Sequence, residues 1–154
     1  MKYIPVFIIL MLTSCGSVTT SESNDLSKLL ESRQYVFIAQ TAFPARGSSV
    51  SVAGANYELK MILDSVSVYL PFYGRVNDLS AGRTGGPIEL NTKDVSHKLE
   101  KKKSRWEVTI IPGNQTSIRE MNLSVSENGF ADLLVVSANR DNMNYHGSVE
   151  ALKK

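Results

Sequence analysis

The chain has 154 residues, 17 of them Lys or Arg against 15 Asp or Glu, with a formal net charge of +2 and a single cysteine. A balance this close to neutral gives little counterion release on nucleic acid, and one cysteine excludes a disulfide framework. The length supports one hydrophobic core rather than two.

Met1 and Lys2 precede an apolar stretch from Val6 to Leu12 and the small residues Thr13 and Ser14, the pattern of a secretory signal. The stretch is far shorter than the roughly 20 apolar residues that span a bilayer. Leu12-Thr13-Ser14-Cys15 resembles the bacterial lipobox, so residues 1–14 are expected to be a lipoprotein signal peptide and Cys15 the lipidated first residue of the mature chain. Stable anchoring takes about two acyl signals, and a lipobox cysteine carries more. Residues 15–24, mostly Ser, Thr and Gly, bury too little apolar surface to fold alone and are expected to form a tether. Residues 25–154 are expected to form one β-barrel-like domain.

Leu26, Leu29 and Leu30 recur at helical spacing between Asp25 and Arg33, with Asn24 placed as an N-cap, which predicts one short amphipathic helix. Beyond Gln34 the apolar residues alternate with period two. Strands are predicted near residues 34–43, 57–63, 66–72, 87–91, 94–100, 105–111, 117–127, 130–138 and 144–150. Three hairpins bring apolar residues opposite one another. About Asp64-Ser65, Leu63 would face Val66, Met61 would face Val68 and Leu59 would face Leu70. About Lys101–Ser104, Leu99 would face Trp106, Val95 would face Ile110 and His97 would face Val108, with Glu100–Arg105 and Lys98–Glu107 as charge pairs. About Asn128-Gly129, a type I′ signal, Leu123 would face Leu134 and Met121 would face Val136, which sets Asp132 opposite Val125 on the inner face. The run Leu133-Leu134-Val135-Val136 is apolar on both faces and calls for a cover, either the helix or a partner protein.

The expected fold class is therefore mainly β: an antiparallel meander forming a lipocalin-like β-barrel or a strongly bent sheet, with one short N-terminal helix. Closure removes sheet edges that would otherwise template aggregation. Tyr35, Phe37, Phe43, Met61, Val68, Trp106, Met121 and Leu134 are the expected inward residues. They are large enough to fill a small barrel, which moves function to the loops Pro44–Ala55 and Phe72–Gly86.

No pattern of catalytic spacing stands out. Gly82–Gly86 has neither the spacing of a phosphate loop nor a helix after it, and no nucleophile elbow or paired-histidine zinc motif occurs. Neither His97 nor His146 has a cysteine or acidic cluster at ligand spacing, so no metal and no cofactor is expected. The run Lys101-Lys102-Lys103-Ser104-Arg105 falls on a turn while Trp106 points inward, which reads as a charged tip without a base-stacking platform. Candidate ligand or rim residues are Phe72, Tyr73 and Arg75 in the unusual run Leu70-Pro71-Phe72-Tyr73-Gly74-Arg75, together with Asp132, Arg140 and Tyr145. Asp64-Ser65-Val66 resembles a periplasmic O-glycosylation acceptor, which makes Ser65 a candidate modification site.

The lipobox, that aromatic run, Gly86-Pro87-Ile88 and the closing stretch from Asn128-Gly129 through Ser137, Arg140, Tyr145 and Gly147 together resemble small Bacteroidetes lipoproteins catalogued as domain of unknown function 4251. The resemblance runs from about Gln34 onward and implies a lipocalin-like barrel in a Gram-negative envelope, with no activity, cofactor or catalytic residue attached. Gly16-Ser17-Val18-Thr19 lacks the acidic cluster of surface-displayed lipoproteins there, which favours an outer-membrane anchor facing the periplasm. The expected function is a non-enzymatic binding module, tethered to the membrane through Cys15, for a small apolar ligand or an envelope protein and not for nucleic acid. The alternatives are a structural subunit of an envelope assembly and an envelope hydrolase.

Overall fold

A computed structural model describes residues 19–77, 85–113 and 117–153. Cys15 and the signal segment lie outside the described residues, as does part of the Gly82–Gly86 loop. One helix, α1 (Thr19–Glu31), precedes ten strands: β1 (Gln34–Pro44), β2 (Val50–Ser51), β3 (Glu58–Ile62), β4 (Ser65–Leu70), β5 (Ile88–Thr92), β6 (Val95–Lys102), β7 (Arg105–Pro112), β8 (Ile118–Ser126), β9 (Phe130–Ser137) and β10 (Met143–Ala151). The nine predicted strands are all present. The short β2, paired with β1 inside the expected Pro44–Ala55 loop, was not foreseen.

The strands form one antiparallel sheet in the order β5-β4-β3-β1-β10-β9-β8-β7-β6, with β2 off this path. β5 and β6 follow each other in the chain yet occupy opposite edges, so the sheet curls into a nearly closed barrel. Its strands alternate between buried and exposed residues, as in β4 (Ser65–Leu70) and β10 (Met143–Ala151). Tyr35, Phe37, Met61, Val68, Trp106 and Met121 are all buried within a single core, as expected. Phe43 is not: it is 44% exposed near the end of β1.

Helix α1 begins at Thr19, inside the segment read as a tether, rather than at Asp25. It ends where Arg33 takes a left-handed φ of 55° and its N–H bonds the Leu30 carbonyl, the usual means of satisfying orphan carbonyls at a helix C-terminus. Leu26 and Leu30 join the barrel core and Leu29 packs against it. The helix lies beside the start of β1 and the β8–β9 turn, so it closes one end of the barrel instead of covering the outer face of β9.

The three hairpins keep their strands but change their registers. At β3–β4 the turn is Leu63-Asp64, so Met61 faces Val66 and Leu59 faces Val68, and Leu63 is exposed with a left-handed φ of 54°. At β6–β7 the turn is Lys103-Ser104. Leu99 faces Val108, His97 faces Ile110 and Lys101 faces Trp106. The expected cross-strand charge pairs give way to a Lys98–Glu100 ion pair along one strand, and the Lys101 ammonium sits over the Trp106 ring, 5.2 Å from its centroid. Both shifts preserve which residues face inward, except that Leu63 leaves the apolar face for the turn.

The β8–β9 hairpin differs in kind. Ser126 and Phe130 flank the three loop residues Glu127, Asn128 and Gly129, with Gly129 at φ 81° and its N–H bonding the Ser126 carbonyl. This is the turn-plus-left-handed-glycine loop rather than the two-residue type I′ turn. One extra residue reverses the parity of β9. Leu123 therefore faces Leu133 and Met121 faces Val135, while Asp132 and Leu134 point outward.

Candidate functional site

At the end of the barrel opposite α1, β4 finishes at Leu70, and Pro71, which has no N–H to donate, carries the chain off the sheet. Arg75–Asn77 then runs antiparallel to Asn139–Asp141 in the β9–β10 connection. The Arg75 N–H bonds Asp141 Oδ2 at 3.0 Å, the Asp141 N–H bonds the Arg75 carbonyl at 2.9 Å, and the Asn77 N–H bonds the Asn139 carbonyl at 2.8 Å. Gly74 permits this strap, because a Cβ there would stand 2.8 Å from both the Phe72 ring and Asp141 Cβ.

Two side chains tie the strap to the barrel. The Tyr145 hydroxyl, projecting inward from β10, donates a buried 2.6 Å hydrogen bond to the Pro71 carbonyl. The Arg140 guanidinium lies over the Phe72 ring, 5.0 Å from its centroid, and donates to the Gly86 carbonyl at 3.2 Å. Burial raises the Tyr145 phenol well above its ordinary pKa, with Tyr73 adding to the rise and Arg140 opposing it, so the hydroxyl stays a donor through the neutral range. Phe72, Tyr73, Arg75, Arg140 and Tyr145 thus converge as a rim. Phe72 is half-buried beneath Arg140, while Tyr73 and Arg75 face solvent.

Beside this strap lies a recess of about 230 Å³ lined by Pro87, Ile88, Glu89, Ser117, Ile118, Ser137 and Arg140. Arg140 Nε and Ser137 Oγ are buried without a hydrogen-bond partner, as is the neighbouring Asn139 Oδ1. Among the described residues Arg140 has no carboxylate partner.

Asp132 does not belong to this rim. Its carboxylate is 69% exposed on the outer face and lies 2.8 Å from His146 Nδ1, and the Phe130 ring stacks on that imidazole. The expected inward Asp132 followed from the wrong parity of β9. Ser65 is displaced as well: it opens β4 opposite Ile62, half-buried, instead of crowning the turn, and its neighbour Asp64 pairs with Arg33 at 2.9 Å.

Nothing in the residue pattern signals a second polar feature, at the open seam. Tyr35 is fully buried, and its hydroxyl shares a 3.2 Å hydrogen bond with His97 Nε2 across the barrel. Burial first, then the nearby Arg33, lowers the His97 pKa, which keeps the imidazole neutral near pH 7. His97, Leu99, Lys101 and Trp106 face Ser27, Glu31 and Arg33 across an open pocket of about 430 Å³. Only the curl of the sheet brings Tyr35 on β1 and His97 on β6 together, since these strands are not neighbours in the sheet.

Among the described residues, no helix is long and apolar enough to cross a membrane, and no three His, Cys, Asp or Glu side chains group to hold a metal ion. The family model described as "Domain of unknown function (DUF4251)" matches residues 18–149. A crystal structure of a DUF4251 family protein from Bacteroides eggerthii DSM 20697 is similar to this chain at 18% sequence identity with a TM-score of 0.65, covering 84% of this chain and 87% of that one. No curated protein matches.

Proposed function

The chain belongs to the DUF4251 family, a domain of unknown function, and we propose that it is a non-catalytic binding module of the bacterial envelope, anchored to the outer membrane through lipidated Cys15 and facing the periplasm. The supporting observation is the division of labour between the two ends of its barrel. The inward residues fill the interior, with Tyr35, Trp106 and Met121 fully buried, so the barrel serves as a scaffold rather than a container for an apolar ligand. The helix that follows the anchor closes one end. The strapped rim at the other end presents Tyr73, Arg75 and Arg140 beside a small recess, directed away from the membrane.

The His146–Asp132 pair stands on the open outer face instead of in a cleft, an arrangement that favours a surface contact over acid–base chemistry, which needs a positioned substrate.

Two mass measurements test this reading. The intact mass of the protein from its own host should show acyl chains on Cys15, and the same spectrum reports any glycan on Ser65; an unmodified Cys15 overturns the anchor. Native mass spectrometry of that material should show an added mass that denaturation removes and Arg140→Gln weakens. A bare protein, or an adduct indifferent to the rim, overturns the binding role.

A further inference from the structure

We infer that the recess beside Arg140 is a carboxylate site, taking the charged end of a small acid or of a peptide whose adjoining group is apolar. This rests on the rim being the binding end and adds the class of ligand.

Arg140 is held in place from two sides. Phe72 lies against its guanidinium at 5.0 Å, and the Gly86 carbonyl takes one N–H at 3.2 Å. A guanidinium carries five N–H donors in a planar fork suited to a carboxylate. One of those donors is satisfied by the protein, Nε–H is buried without a partner, and no acidic side chain among the described residues pairs with the group. Native proteins leave few buried polar atoms unmatched, yet Ser137 Oγ, on another wall of the same recess, is unmatched too. Both atoms lie just beneath its surface, and a carboxylate entering the recess would accept from both after a small turn of the two side chains.

The other walls suit what such a ligand carries behind its charge. Pro87, Ile88 and Ile118 supply apolar surface, and Ser117 supplies a further hydroxyl at the edge. Glu89 also lines the recess, but it alternates with the buried Ile88 on β5 in an outward, exposed register position and makes no ion pair with Arg140, so it leaves the guanidinium free for a bound carboxylate. At about 230 Å³ the recess is smaller than the pockets that enclose drug-sized molecules, which limits the bound portion to a few heavy atoms. The Phe72 ring already lies against the guanidinium, which reduces the ordering cost of binding.

The test is calorimetric titration of the full-length mature protein with sodium acetate, butyrate and benzoate, with butyramide and benzamide as uncharged counterparts. Two short peptides ending in leucine, one with a free carboxylate and one amidated, form a second arm. The expected result is saturable binding of at least one carboxylate, at least tenfold weaker binding of its amide, and a further loss of threefold or more in Ser137→Ala. Ser137 Oγ makes no bond that its removal would break, so that variant should fold as the parent does. Tighter binding of the peptide acid than of butyrate assigns the site to chain ends; the reverse order assigns it to free acids. Amides that match their acids, a Ser137→Ala variant that binds as the parent does, or no saturation at millimolar concentration each overturn the assignment. If every carboxylate fails while protein from its own host still carries an Arg140-dependent adduct, the ligand class is wrong and the rim reading stands.

Discussion

Replacing Tyr145 by Phe removes one hydroxyl and, with it, the 2.6 Å bond that ties the strap to the barrel. The ring stays, so no large cavity opens. The Pro71 carbonyl, on a buried residue, loses its partner. An unsatisfied buried acceptor costs about 1–3 kcal/mol, and we take about 1.5 kcal/mol as the loss at pH 7. The same substitution changes the response to alkali. Because burial raises the folded-state pKa of Tyr145 above its ordinary 10.0, the unfolded chain releases this proton first. The hydroxyl's contribution is then fully present below about pH 10 and is lost as pH rises toward the folded value. One unit above pH 10 the wild type has lost about 1.4 kcal/mol through this group, at 1.36 kcal/mol per pKa unit. The Phe variant has no such proton to lose. Urea denaturation at pH 7, 9, 10 and 11 should therefore show the variant about 1.5 kcal/mol less stable at pH 7, with the gap closing to near zero at about pH 11. A gap that stays constant with pH would refute the account of Tyr145 as a buried neutral donor, and no gap at pH 7 would refute the importance of the strap bond.

Three further outcomes are expected. Leu133→Asp should abolish cooperative unfolding, because it puts a charge in the core, whereas Leu134→Asp on the outer face should cost less than about 1 kcal/mol; circular dichroism melts of the pair check the parity of β9. Gly147→Ala should destabilise by about 1–3 kcal/mol, the usual cost of overpacking, since its Cβ would collide with the Ile38 carbonyl oxygen on β1, and a loss under 0.5 kcal/mol in urea would contradict that close approach. Leu30→Ala, which removes a fully buried side chain at the helix end of the barrel, should cost about 2–5 kcal/mol, and a melt unchanged within error would show that α1 is not part of the folded unit.

The strands were legible because alternation is a local property, and so was the inward set from Tyr35 to Met121 apart from Phe43. Register was less so. It depends on which residues bend, and at β3–β4 and β6–β7 the sequence offers several polar turns that all leave the same face inside. Apolar pairing could not choose among them. At β8–β9 the ambiguity was worse, since Leu133 to Val136 are apolar on both faces and either parity looks acceptable from pattern alone. Asn128-Gly129 signals a turn without fixing its length, and the one extra residue sent Asp132 and Leu134 outward together. The extra turns of α1 were hidden because Ser, Thr and Asn favour loops and caps over helix interiors. Of the rim, Phe72, Tyr73, Arg75, Arg140 and Tyr145 were readable as unusual residues, but their convergence comes from the strap, which joins segments distant in the chain.

The ladder between β1 and β10 has a consequence for the order in which the molecule is made. Tyr35 pairs with Ala151 and Phe43 with Asn144, so one long edge of β1 finds its neighbour only when β10, the last strand of the sheet, has been synthesised. Until then the N-terminal hairpins β1–β3–β4 and the C-terminal run β6 to β9 can each assemble through contacts close in sequence, which form quickly. Neither half has the central seam that joins them. Until β10 emerges, a nascent chain therefore carries β1 with one of its edges unpaired, a species prone to association. A truncation that removes β10 should leave both halves without a common core, and the last nine or so residues of the sheet decide when the protein becomes a single cooperative body.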